Sequence, residues 1–140
     1  MRFALILVFA ASSATAWEFS PTPICTLRSA TGDVVVTYDA QLPEYTITIT
    51  RPAPGWDDAP IFGMRFDGAK PLTIHTDQHQ RSADGRQIIV TDTGFENVLN
   101  GLALNAVATA FIGTTQAEIA LSGIGPPLRA FRHCPDADLS

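Results

Sequence analysis

The sequence predicts a mainly β (α+β) fold: an antiparallel sheet or sandwich of about seven strands, with two short helices packed at one end and the chain ends tied by one disulfide. Three observations carry this. Apolar residues alternate with polar ones over short runs between Gly- and Pro-containing turns, most clearly in Tyr45-Thr46-Ile47-Thr48-Ile49-Thr50. Only two stretches switch to a helical period. The only cysteines are Cys25 and Cys134, near opposite ends of the 140-residue chain.

The N-terminus reads as an export signal. Met1-Arg2 is followed by the apolar run Phe3 to Ala11 and by the A-x-A site Ala14-Thr15-Ala16. Residues 1–16 are therefore expected to be a signal peptide, cleaved before Trp17, and 17–140 a single β-rich domain. The apolar run falls short of the roughly 20 residues that span a bilayer, and no later stretch qualifies. No integral membrane segment is expected after cleavage, and the location expected is periplasmic or secreted. Loss of Arg2 takes the formal charge from −5 to −6, and no basic cluster remains. That balance argues against nucleic acid and anionic lipid as partners. In an oxidising compartment the cysteine pair is expected to close an intramolecular Cys25–Cys134 disulfide.

Along the chain, Asp33 to Tyr38 is β-branched and should pair with Tyr45 to Thr50 as a hairpin. Phe62, Met64 and Phe66 alternate into a third strand that ends at Asp67-Gly68. Thr93-Gly94-Phe95-Glu96 matches the T-x-x-E capping box. Phe95, Val98, Leu99 and Leu102 then follow as one apolar helical stripe, with Gly101 as the expected helix end. Ala106 to Ile112 and Ala117 to Leu121 flank Gly113-Thr114-Thr115 as a second hairpin. Gly125-Pro126-Pro127 opens a final helix that turns Leu128 and Phe131 inward, with Cys134 sharing their face.

Two segments are candidates for function. The loop from Arg51 to Pro60 contains three prolines and Gly55, which forbid regular pairing, and places Trp56 beside Asp57 and Asp58. These three residues are the candidate binding loop; the competing reading folds Trp56 back as a lid on the sheet end, buried for its own area. His75, Asp77 and His79 are spaced two apart, which on an extended strand puts three metal-ligand types on one face. The competing reading is a hairpin that rises from Leu72, turns at Asp84-Gly85 and returns through Ile88 and Val90, with the histidines on its solvated arms. No G-x-S-x-G, H-E-x-x-H, P-loop or dinucleotide fingerprint occurs, and no catalytic residue or cofactor is expected.

Trp17-Glu18-Phe19 followed by Cys25, the helix Gly94 to Gly101, and the closing Leu121-Ser122-Gly123 and Ala130-Phe131-Arg132-His133-Cys134 recur together. In these the chain resembles small uncharacterised exported proteins of alphaproteobacteria over nearly its whole mature length. In architecture it is similar to the invasion-associated locus B type of exported protein, which has a β-rich domain. The resemblance implies no activity and transfers no functional residue. The function expected is a non-enzymatic envelope or secreted module that binds an envelope protein or another ligand. The alternative is a metal or small-ligand protein built on His75, Asp77 and His79.

Overall fold

The computed structural model describes residues 16–135. The expected signal peptide, apart from Ala16, lies outside the described residues, as do residues 136–140. Among the described residues there are ten strands and two helices. They form two antiparallel sheets whose inward faces share one core.

The larger sheet has the order β1-β2-β3-β4-β8-β7, built from β1 (Glu18–Ser20), β2 (Cys25–Arg28), β3 (Val34–Asp39), β4 (Glu44–Thr50), β8 (Gln87–Asp92) and β7 (Gln80–Arg81). Its central hairpin follows from period-two patterning. Val34, Val36, Ile47 and Ile49 are buried, and the threonines of β4 alternate with the two isoleucines. The smaller sheet has the order β10-β9-β5-β6, from β10 (Thr115–Ala120), β9 (Asn105–Ile112), β5 (Phe62–Gly68) and β6 (Leu72–Thr76). Phe62, Met64 and Phe66 of β5 meet Ala108, Ala110 and Ile112 of β9 on its inner face. The small alanines beside large aromatics let the layers interdigitate.

Helix α1 (Glu96–Ala103) closes one end and helix α2 (Gly125–Arg132) packs against it and against β1 and β2. The disulfide joins Cys25 in β2 to Cys134 just past α2, 109 residues away. Leu128 and Phe131 are buried beneath it. Among the described residues no helix is long and apolar enough to cross a membrane. Trp17 is 6 % exposed. Its indole Nε1 donates to the Ala120 carbonyl at 3.0 Å, so the first residue past the expected cleavage site is a core residue.

Three expectations are corrected. First, β6 and β8 do not form one hairpin. β6 pairs with β5 in the smaller sheet, the chain crosses between sheets over residues 77–79, and the Asp84-Gly85 turn joins only β7 to β8. Second, the capping box does not form. The N-cap is Phe95 without a side-chain cap, the Thr93 hydroxyl bonds Asp92, and Glu96 accepts from Asn100 and Arg132. Phe95 is buried and stacks on Tyr45 at 5.4 Å. Burying a Phe is worth about 1.5–3 kcal/mol against roughly 1 for a cap, so packing sets the helix start. Third, Gly101 lies inside α1 instead of ending it. A Cβ there would fall 2.5 Å from the Phe66 ring, so glycine is required by close approach. The strand count exceeds seven because β1, β2 and β7 are two to four residues long, too short for their period to stand out in the sequence.

The four sheet edges are not alike. β1 has three residues and runs into Pro21 and Pro23, and β7 has only two. β10 is capped on its free side, where Arg51 Nε donates to the Gln116 carbonyl and Trp17 Nε1 to that of Ala120. β6 is five residues of bare edge. It is entered from Lys70-Pro71 but holds no lysine or proline itself, and among the described residues no main-chain hydrogen bond outside the β5 ladder reaches it.

Candidate functional site

The loop carrying Trp56, Asp57 and Asp58 is a buckle between the sheets. Trp56 is 2 % exposed. Its Nε1 donates to the Ile49 carbonyl at 3.1 Å, its ring meets Phe62 edge-on, and the Arg51 guanidinium lies 5.9 Å from its centroid. Arg51 Nη1 donates to Gly55 at 2.6 Å and Arg81 Nε to the Trp56 carbonyl at 2.9 Å. Gly55 has φ +84°, and a Cβ there would collide with the Gly85 carbonyl, to which Trp56 N donates. The indole is therefore unavailable as a contact surface.

Asp57 Oδ2 accepts from the Thr114 backbone N–H at 2.7 Å and the Thr114 hydroxyl at 2.8 Å, which clamps the β9–β10 turn. These bonds hold its carboxyl below the ordinary 3.8, the backbone bond most strongly. Asp84 is held low in the same way, by the Ser82 hydroxyl and then by Arg86 N. Asp58 is exposed. A depressed carboxylate contributes stability that is present above the unfolded pKa and lost as pH falls through the folded value. Thermal melts should therefore show stability falling below about pH 4, and Asp57→Asn should flatten that acid limb while leaving the melt near neutrality cooperative. An unchanged acid limb in Asp57→Asn would show that the clamp does not couple to folding.

The structure separates the residues of the His75, Asp77 and His79 set. β6 ends at Thr76, so the alternation does not continue to Asp77 and His79. His75 lies on the outer face, where its ring meets Phe111 edge-on at 5.8 Å across Gly63. His79 Nε2 lies 3.0 Å from the Ala59 carbonyl, and its Nδ1 is buried without a partner. Asp77 Oδ1 accepts from Gln78. Among the described residues no group of three or more His, Cys, Asp or Glu side chains is placed to hold a metal ion.

The feature that sequence reading missed is a cleft between the sheets beside β6 and β8. It encloses about 400 Å³. That lies within the roughly 300–1,000 Å³ typical of ligand sites. Ile47 of β4, Met64 of β5, Val90 of β8 and Phe95 at the head of α1 form its apolar floor, and Ile74 flanks it. Asp92, Glu96 and Asn97 supply polar groups on its lining. It exists because β7 covers only Ile88 and Ile89 of β8, leaving Val90 to Asp92 paired to β4 on one side and uncovered on the other, while β6 ends the opposing sheet. Ile74 and Val90 read in the sequence as ordinary core positions, and no sequence signal marks them as only half-buried beside an incomplete core. Behind Phe95, burial raises the Tyr45 phenol above its ordinary 10.0, with the adjacent Tyr38 adding to the effect. No known protein family, curated protein or solved structure matches this chain.

Proposed function

We propose that this protein is an exported, non-enzymatic module of the periplasm or the secreted fraction, and that its binding site is the cleft between the sheets. The observation that carries the reading is a cleft of about 400 Å³ between two incomplete sheet edges, with the half-buried Ile74 and Val90 on its walls above the buried Ile47, Met64 and Phe95. Apolar surface is normally covered in a domain with a complete core, and an opening of this size with a few polar groups on its lining is the usual form of a binding site. Export is supported by the signal-like N-terminus and by the Cys25–Cys134 disulfide, a bond that persists in oxidising compartments. The resemblance to small exported proteins of alphaproteobacteria points to the same location.

The alternative site at His75, Asp77 and His79 is less favoured, because those side chains diverge. The cleft accounts better for a small-ligand or partner role. Titration of the disulfide-bonded protein with Nile red, a neutral apolar dye, tests it. A saturable fluorescence rise is expected, and Ile74→Trp should abolish it while preserving a cooperative melt. Dye binding that persists unchanged in folded Ile74→Trp, or no saturable binding at all, would remove the cleft as the site.

A further inference from the structure

We infer that the cleft receives an extended peptide that adds as a fifth strand to the free side of β6, sends alternate apolar side chains onto the cleft floor, and carries a basic residue. This rests on the cleft as the binding site and names its occupant. Unpaired strand edges invite association, and proteins blunt them with short length, proline, lysine or covering groups. Three of the four edges here are blunted: β1 by length and prolines, β7 by length, and β10 by the Arg51 and Trp17 donors. Among the described residues β6 is the longest uncovered edge, five residues against the three left open at Val90–Asp92 of β8, and it lies beside an apolar cleft. A strand laid there gains main-chain hydrogen bonds along one edge, while every second side chain faces inward.

A compact apolar molecule would fill the floor but leave the β6 main chain unused. A strand uses both features. The charge choice follows from the lining, which has the carboxylates of Asp92 and Glu96, one histidine in His75, and no lysine or arginine. Glu96 is shared with Arg132 at 3.4 Å and with Asn100. Among the described residues Asp92 engages only the neighbouring Thr93, through Oδ1, which leaves its second oxygen for an incoming cation. The acidic charge of the whole chain favours the same sign of partner.

The test uses a fluorescein-labelled, capped heptapeptide alternating valine and threonine and ending in arginine, with binding to the disulfide-bonded protein read by anisotropy. Two further peptides carry N-methyl groups on alternate amides, one set for each edge. The expected result is saturable binding of the parent peptide, with at least one N-methylated form weaker by roughly tenfold or more, because the ladder donors are gone. Replacing the terminal arginine by glutamate should also weaken binding, and Asp92→Asn should narrow that difference. Hydrogen exchange should show new protection at residues 72–76. Binding of both N-methylated peptides as tightly as the parent would overturn strand addition. So would failure of the peptide while Nile red still binds, an outcome that leaves the cleft reading standing. If neither binds, both fall. Concentration-dependent dimerisation of the peptide-free protein, with protection confined to 72–76, would assign the edge to a second copy and overturn the peptide.

Discussion

Replacing both cysteines, as Cys25→Ala/Cys134→Ala, is expected to lower unfolding stability by about 2–5 kcal/mol in denaturant titrations. The crosslink spans 109 residues. Chain-entropy reasoning puts closure of a loop near that size at about 4.7 kcal/mol, as an upper bound. A domain typically holds about 5–15 kcal/mol in total, so the loss is a large share. The effect should be uneven in space. α2 contacts β1, β2 and α1, and it is anchored by Leu128 and Phe131 besides the sulfur bond. Hydrogen exchange should therefore rise first in α2 and in β1, the short strand it covers. A denaturation midpoint equal to the parent's would show that side-chain packing alone docks the helix. The same experiment bears on the compartment, since a protein that depends on this bond folds poorly where thiols stay reduced.

Trp56→Ala is expected to cost about 3–5 kcal/mol, the range for deleting a large aromatic from a core. The indole is buried, packs edge-on against Phe62, and bonds Ile49 from inside the loop that buckles the two sheets. Its removal leaves the Ile49 carbonyl without this donor as well as a cavity. Trp56→Phe should restore most of the packing and lose about 1 kcal/mol for the missing bond. Urea titration followed by circular dichroism reads both, and the fluorescence of the remaining Trp17 reports whether the β10 edge opens with the loop. If Trp56→Ala melts like the parent, the buckle is dispensable and the loop is free to serve as the contact surface that its composition suggested.

How far the residues foretold the fold can be judged element by element. The β3–β4 hairpin, the inward face of β5, the β9–β10 hairpin and the proline-initiated α2 were all legible, because each depends on a local period or a turn. The capping box misled because a local motif competed with the burial of Phe95, and burial was the larger energy. The Asp84-Gly85 turn was legible, yet the strand paired across it was β7 and not β6. A turn signal says that the chain reverses, not how far back the partner strand begins.

The cleft was not legible at all. Its walls come from β4, β5, β6, β8 and α1, five elements whose proximity no spacing announces. Chemical type marks a candidate residue without setting its orientation. His75 turned to the outer face, and Trp56 turned into the core.

By itself the sequence determined the fold class, the signal-like terminus, the one possible cysteine pair and the faces of the longer strands, because these follow from composition and from the two short-range periods of the backbone. Only the tertiary structure decided which strands lie side by side, which edges stay bare and where the apolar layer is left open. Those outcomes depend on contacts between residues far apart in the chain, and many strand orders satisfy the same local pattern until side-chain packing selects one.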